Sequence, residues 1–136
     1  MYIYQHRVTY GEIDGQKIAF NAHYLSWSDQ ATYEFFRHGG YSPNELEKLG
    51  FDFVVRKATI EYFQSVSFDE LISFKAIVSH IGQSSYQMKH EIYNELDELV
   101  ATIKLVHVNI VNNRKAPLPD GVRGLLENFH ITLDSK

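Results

Sequence analysis

The chain has 136 residues, of which 44% are hydrophobic, 22% are charged and none is cysteine. This length and composition predict one globular domain over residues 1–136 and exclude intrinsic disorder, a disulfide framework and a cysteine nucleophile. The formal net charge of −4 argues against a nucleic-acid partner, which would require a basic surface. The sequence has no apolar run long enough to span a membrane and no signal-peptide pattern at its start, so we expect a soluble, cytoplasmic protein.

The first third of the chain predicts a strand, a loop and a long helix. Residues 1–10 alternate between two faces, which is typical of a strand, whereas the glycines and polar residues of 11–21 predict a loop. From His23 to His38 the apolar residues recur at helical spacing and cover one broad face. Gly39 and Gly40 are expected to end this helix.

The remaining chain predicts a short helix, four strands and a terminal helix. Ser42 precedes Pro43 and Glu45, a capping-box spacing that predicts a short helix. Four segments alternate in polarity or are rich in β-branched and aromatic residues, and they predict strands: Phe53–Phe63, Ile72–Ile81, Ser85–Tyr93 and Leu99–Val111. The segment Asp120–Phe129 predicts a helix capped by Asp120. This order predicts an α+β fold, in which a mostly antiparallel sheet covers one long helix.

The loop before the long helix is the segment most suggestive of function. A helix N-terminus presents free N–H groups and a partial positive charge, which can hold an anion or polarise a carbonyl group. Asp14 lies in the preceding loop and could fold back beside these groups. The alternative is that Asp14 and Gly15 form an ordinary turn with a solvated carboxylate.

Other polar residues near the helix also allow two interpretations. Asn21 can cap the helix with its side chain. His23 is either a general base or a hydrogen-bonded structural histidine, and Asp29 either lies on the rim of a pocket or is solvated.

Ser26 and Ser28 stand outside any G-x-S-x-G motif of a nucleophile elbow. The seven histidines show no metal-ligand spacing, so we expect no metal site.

Two motifs dominate the first part of the chain: RVTYGEID at residues 7–14 and FNAHYL at residues 20–25. Shorter segments follow downstream: Phe53-Val54-Val55-Arg56, Glu61-Tyr62, Phe68-Asp69-Glu70, Glu91-Ile92-Tyr93, Glu98-Leu99-Val100-Ala101 and Pro117-Leu118-Pro119. In their order and spacing, these segments resemble the hotdog-fold acyl-CoA thioesterases, specifically the 4-hydroxybenzoyl-CoA thioesterase group. The resemblance covers residues 3–122.

The resemblance implies a five-stranded antiparallel sheet wrapped around one long central helix, and hydrolysis of an acyl-CoA thioester without a cofactor. It implies that Asp14 is the catalytic carboxylate, acting as nucleophile or general base. It places the donors that polarise the carbonyl on the backbone N–H groups of Asn21 and Ala22. We expect a short or aromatic acyl group, bound near Phe20, His23, Tyr24, Trp27 and Asp29. Asp29 is also the reserve catalytic carboxylate.

Three departures from the family pattern leave the acyl specificity open. His23 stands where the family commonly has Asn, Glu12 replaces a common Asp, and Gln16 and Lys17 replace small residues. They leave the carboxylate of Asp14 in place.

The resemblance also implies assembly, since family members form dimers, often paired into tetramers, with the active site between subunits. We therefore expect Asp14 of one chain to face Val54, Val55, Arg56 and Lys57 of its partner. Basic side chains must hold the phosphates of coenzyme A, and the candidates are Arg56, Lys57, Arg114 and Lys115. Two other functions stay open: a hydratase–dehydratase that pairs Asp14 with His23, and a non-catalytic acyl-CoA-binding protein.

Overall fold

The computed structural model describes residues 2–130. Along this part of the chain, the elements are β1 (Ile3–Arg7), a 3-10 helix (Tyr10–Glu12), α1 (His23–His38), α2 (Pro43–Lys48), β2 (Phe53–Tyr62), β3 (Leu71–Ile81), β4 (Ser85–Tyr93), β5 (Leu99–Val111), β6 (Arg114–Lys115) and α3 (Asp120–Asn128). None of these helices is both long and apolar enough to cross a membrane. Met1, where the first predicted strand began, and residues 131–136 of the predicted domain lie outside the described residues.

The strands form one antiparallel sheet in the order β1-β3-β4-β5-β2, with β6 paired to the end of β5. The connections β3–β4 and β4–β5 are short hairpin loops at residues 82–84 and 94–98. The short strand β6 was not predicted. It pairs with β5 through a two-residue turn of Asn112 and Asn113, whose φ angles are +52° and +63°. Asparagine tolerates this left-handed backbone, which two-residue hairpin turns require.

Helix α1 has the bounds that its periodicity predicts, and its apolar face packs against the inner face of the sheet. Its buried side chains are Tyr24, Trp27, Ser28, Ala31, Thr32, Phe35 and Phe36. Opposite them, β4 alternates as predicted, with Tyr86, Met88, His90 and Ile92 buried. Burying a large apolar side chain contributes about 1.5–3 kcal/mol, so this contact is a major contribution to the stability of the fold.

Of the two helix caps predicted for α2 and α3, the structure confirms the first and contradicts the second. Ser42 caps α2, and its side chain accepts a hydrogen bond from the Glu45 N–H at 3.3 Å. The prediction that Asp120 caps α3 was wrong, because Pro119 occupies the N-cap and Asp120 is the first helical residue. A carboxylate in the first turn still interacts favourably with the helix dipole.

Two histidines are fully buried between α1 and the sheet. His90 Nδ1 lies 2.6 Å from Ser28 Oγ, and His107 Nδ1 lies 2.8 Å from Tyr86 Oη. In both rings Nε2 has no hydrogen-bond partner among the described residues. Burial lowers the pKa of His90 to about 3 and that of His107 to about 4.

We therefore predict that the free energy of unfolding falls between pH 7 and pH 5. In this window the unfolded histidines, with a pKa of about 6.5, gain protons, whereas His90 and His107 stay neutral in the folded chain. The loss should be about 2 kcal/mol per buried histidine, measured by urea denaturation at the two pH values. His90→Gln should show about half the loss of the wild type, and His80→Gln, at an exposed position, should show the full loss. An equal pH dependence in the wild type and His90→Gln would contradict this account.

Candidate active site at the start of helix α1

The segment from Glu12 to Phe20 folds into a small hairpin that leads directly into α1. The Phe20 N–H donates to the Glu12 carbonyl at 2.9 Å, Ile13 and Ala19 form an antiparallel bridge, and the Asp14 N–H donates to the Ile18 carbonyl at 2.9 Å. Asp14 therefore stands at the tip of this hairpin, at the first position of its turn.

The turn holds the Asp14 carboxylate in a defined position. Asp14 Oδ1 accepts a hydrogen bond from the Gln16 N–H at 2.8 Å, and the Asp14 carbonyl accepts one from the Lys17 N–H at 2.9 Å. Lys17 has a φ of +66°, which completes the turn. The turn interpretation of Asp14 is therefore confirmed. It does not exclude a chemical role, because the side chain is half-exposed and the turn hydrogen bond engages only one of its two oxygens.

Helix α1 begins without a side-chain cap. The predicted capping role of Asn21 was wrong: Ala22 occupies the N-cap position with helical backbone angles. The Asn21 carbonyl instead accepts hydrogen bonds from the Tyr24 N–H at 3.4 Å and from Tyr62 Oη at 3.0 Å. Among residues 2–130, the backbone N–H groups of Asn21 and Ala22 donate to no backbone carbonyl. These two donors are thus available to an oxygen atom of a ligand.

A pocket of about 370 Å³ opens beside this end of the helix. Its walls come from the hairpin, the helix and the end of β2: Ile18, Ala19, Asn21, Tyr24, Tyr62, Phe63, Gln64 and Ser65. The rings of Tyr24 and Tyr62 meet edge to face with centroids 5.0 Å apart, and burial raises the pKa of Tyr24 to about 12. The wall residues Tyr62 and Phe63 were missed, since only the fold brings the end of β2 to the helix.

The aromatic residues predicted to bind substrate divide into surface and core positions. Phe20 is exposed, and its ring centroid lies 6.1 Å from that of His23. His23 in turn stacks at 6.2 Å on Trp27. Trp27 is 1% exposed and packs beneath the site rather than at its surface.

Glu12 is a further residue at this site, and it was noted in the sequence only as a departure from the family pattern. Its carboxylate accepts hydrogen bonds from Trp27 Nε1 at 2.6 Å and from the Thr9 N–H at 2.8 Å, and it lies 2.9 Å from His6 Nε2. Burial alone would raise the pKa of Glu12, but these hydrogen bonds lower it to about 2. The Trp27 contact joins residues fifteen positions apart, so local sequence patterns could not reveal it.

The remaining predicted residues lie away from the hairpin within one chain. Tyr62, at the end of β2, contacts the start of α1, whereas Phe53, at its beginning, packs on Tyr33 further along the helix. At about 3.3 Å per residue, Val55 lies about 23 Å along β2 from Tyr62. One chain therefore does not bring Val54, Val55, Arg56 and Lys57 to Asp14.

The other charged candidates are exposed. Arg56 falls at an irregularity in the pairing of β2 with β5, and Lys57 faces the outer surface of the sheet, near Lys104. Arg114 and Lys115 form β6. Asp29 reaches solvent, but its surroundings exclude enough water to raise the pKa of its carboxyl group. No group of three potential metal ligands comes together within residues 2–130.

An antiparallel sheet packed around one long helix, with its strands in this order, defines an α+β protein of the hotdog class. The chain belongs to the thioesterase-like superfamily, whose family model matches residues 8–126. It is 25% identical over 118 residues to the acyl-CoA thioester hydrolase YbgC of Escherichia coli, covering 85% of this chain and 88% of that protein.

Solved structures agree with this assignment of the fold. A gentisyl-coenzyme A thioesterase superposes with a TM-score of 0.84 at 22% identity, covering 93% of this chain and 100% of that one. A 4-hydroxybenzoyl-CoA thioesterase in complex with 4-hydroxybenzoyl-CoA has the same TM-score of 0.84 at 17% identity, covering 92% and 97% of the two chains. The predicted hotdog fold and family resemblance are confirmed.

The contact between Tyr62 and the Asn21 carbonyl predicts that the start of α1 depends on β2. We expect Tyr62→Phe to lower the free energy of unfolding by about 1 kcal/mol or less, the usual net contribution of one partly exposed hydrogen bond. Urea denaturation measures this change. Tyr10→Phe is the matched control, because Tyr10 is 75% exposed and should have no effect. An equal change in both variants would contradict the contact.

Proposed function

We propose that this protein is an acyl-CoA thioester hydrolase in which Asp14 is the catalytic carboxylate. The observation that carries the proposal is the continuity of the hairpin and the helix: Asp14 and the free N–H groups of Asn21 and Ala22 belong to one hydrogen-bonded segment. Membership of the thioesterase-like superfamily and the similarity to YbgC support the same reaction.

In the proposed mechanism, the thioester carbonyl oxygen accepts hydrogen bonds from the Asn21 and Ala22 N–H groups. These donors and the helix dipole stabilise the negative charge that develops on that oxygen. Asp14 either attacks the carbonyl carbon, expelling the coenzyme A thiolate and leaving an anhydride for water to cleave, or removes a proton from a water molecule that attacks directly. Both routes consume one water and yield the free acid and coenzyme A. A thiolate leaves readily, so no cofactor is required.

For the acyl group we propose a short or aromatic chain. The pocket beside the helix has the rings of Tyr24, Tyr62 and Phe63 on its walls, and flat aromatic groups pack well against such walls. The gentisyl-CoA and 4-hydroxybenzoyl-CoA thioesterases of the same fold act on aromatic acyl groups, as their names state. Phe20 and His23, at the mouth of the site, are the proposed contacts to the remainder of the substrate.

The proposed assembly is a homodimer formed through β2, with a tetramer as its further association. Strand β2 is an edge strand with Val54 and Val55 45% and 44% exposed, and an exposed apolar edge strand favours pairing with another chain. If two copies of β2 pair antiparallel about a two-fold axis, the beginning of one lies beside the end of the other. The partner's Val54, Val55, Arg56 and Lys57 would then approach the helix start of this chain, where Arg56 and Lys57 could bind phosphates. Arg114 and Lys115 are the other proposed phosphate ligands.

The catalytic proposal predicts that Asp14→Asn lowers kcat by about 100-fold or more. The amide keeps the Oδ1 acceptor of the turn but can neither attack as a carboxylate nor accept the proton of water. The measurement is thiol release from a panel of acyl-CoA substrates that includes aromatic and short acyl chains.

The control is Asp97→Asn, at an exposed position in the β4–β5 turn, and its kcat should equal that of the wild type. Unchanged turnover in Asp14→Asn, with loss in Asp29→Asn, would transfer the role to Asp29. Binding of acyl-CoA without thiol release would indicate a binding protein, and hydration of an enoyl-CoA would indicate the hydratase alternative.

The assembly proposal predicts a dimer in solution that requires β2. Val54→Glu should shift the sedimentation coefficient to that of a monomer and reduce thiol release, because each site then lacks its partner's strand. Leu96→Glu, at a hairpin turn where the side chain is 79% exposed, should leave both unchanged. A monomeric wild type with full turnover would refute the shared site.

A further inference from the structure

The hairpin that carries Asp14 contacts the body of α1 through the part-buried carboxylate of Glu12. Glu12 is the last residue of the 3-10 helix, and its main-chain carbonyl accepts the hydrogen bond from the Phe20 N–H that closes the hairpin. Its side chain points the other way and accepts a hydrogen bond from the indole of Trp27, which lies about one turn into α1. Backbone and side chain of this one residue therefore link the hairpin to the helix.

We propose that Glu12 is a positioning residue, which fixes the Asp14 turn relative to the free N–H groups of α1 through its hydrogen bond to Trp27. This inference rests on the proposed function of Asp14. Catalysis by a positioned carboxylate requires a fixed position of the attacking atom relative to the polarising donors, and a displacement of about 1 Å can cost about 100-fold in rate. Glu12 fixes this relative position without contacting the substrate.

The chemistry of the contact requires an ionised carboxylate. Donors converge on both oxygens: the Thr9 N–H on Oε1 at 2.8 Å, Trp27 Nε1 on Oε2 at 2.6 Å, and His6 Nε2 at 2.9 Å and 3.2 Å from the two. An amide offers one acceptor oxygen and presents its NH2 group to the other donors. Glu12→Gln must therefore lose at least one of these bonds, although it has the same shape.

The packing around Trp27 makes the helix side of this link rigid. Its ring centroid lies 4.9 Å from that of His6, 5.0 Å from that of Tyr24 and 6.4 Å from that of Phe74. On the hairpin side, the Ala19 N–H donates to the Val66 carbonyl at 2.8 Å and Ile18 bridges to Ser67, whereas the Phe20 carbonyl accepts a hydrogen bond from the His23 N–H at 3.1 Å. Loss of the Glu12 carboxylate would therefore leave the hairpin attached to residues 66–67 and to the first residue of α1, but without its side-chain hydrogen bond to the body of the helix.

The test is Glu12→Gln, measured by steady-state thiol release and by tryptophan fluorescence. We expect kcat to fall about 10- to 100-fold with little change in KM, because the pocket walls stay in place. Trp27 is the one tryptophan of the chain, so its emission reports directly on the loss of the carboxylate beside the indole. Glu12→Asp keeps the charge and should recover part of kcat.

The matched control is Glu45→Gln. Glu45 accepts a hydrogen bond from the Ser42 N–H at 3.0 Å, as Glu12 does from the Thr9 N–H, but it serves α2 and contacts no residue of the site. Its variant should keep the kcat and the emission of the wild type. If Glu12→Gln fails to fold, Trp27→Phe removes the same hydrogen bond from the other side and should give the same loss of kcat.

A double variant separates this inference from the proposed function. If Glu12 acts through Asp14, Glu12→Gln should cause no further loss of kcat in the Asp14→Asn background, because residues that act as a unit are not additive. A full additional loss in that background would overturn the positioning role, as would a changed emission with unchanged kcat. Full activity of Asp14→Asn alone would instead refute the catalytic assignment of Asp14.

Discussion

The uncapped start of α1 is the constraint on which the rest of the site depends. A helix N-terminus normally satisfies its free N–H groups with a side chain, and the loss of such a cap costs about 1 kcal/mol. Here the sequence places Ala22 at that position, so no side-chain oxygen caps the free N–H groups of the helix. The helix tolerates this cost because its inner face, including Phe35 and Phe36, is fully buried against the sheet. The stability of the core thus permits N–H donors without a side-chain cap at the helix start, and these are the donors of the proposed site.

Much of this arrangement could be predicted from the sequence, because its signals are local and periodic. The spacing of apolar residues predicted the bounds of α1, and the alternation in Ser85–Tyr93 predicted β4. One error arose where a tertiary contact acts on a residue that a local rule describes. Asn21 is a favourable capping residue by type, yet its carbonyl is engaged by Tyr62 from β2, a contact that only the fold creates. For Asp14, the two interpretations proved compatible, since the turn that explains the residue also orients its carboxylate.

The parts that escaped prediction depend on contacts between distant residues. Glu12 and Trp27 each have an ordinary local interpretation, as a loop acid and as a core aromatic. Their hydrogen bond arises because β1 and α1 lie side by side, which brings His6, Glu12 and Trp27 together. Tyr62 and Phe63 line the pocket because tertiary packing brings the end of β2 to the start of α1. Sequence patterns therefore predicted the candidate carboxylate, whereas tertiary packing determines which residues surround it.

The two edges of the sheet differ in a way that bears on the proposed assembly. Edge strands invite pairing with another chain unless they are short or charged. β1 has five residues, whereas β2 has ten residues and exposes Val54 and Val55 beside the charged Arg56 and Lys57. The longer edge is thus the one whose far end already contacts the start of α1 through Tyr62. Pairing at this edge would satisfy the backbone groups of β2, and the antiparallel geometry would bring the basic beginning of one strand to the helix start of the other. The same association would then give the edge strand its backbone hydrogen-bond partners and bring the partner's basic residues to the uncapped helix start. This gives a physical reason for one small domain to hold only part of an active site.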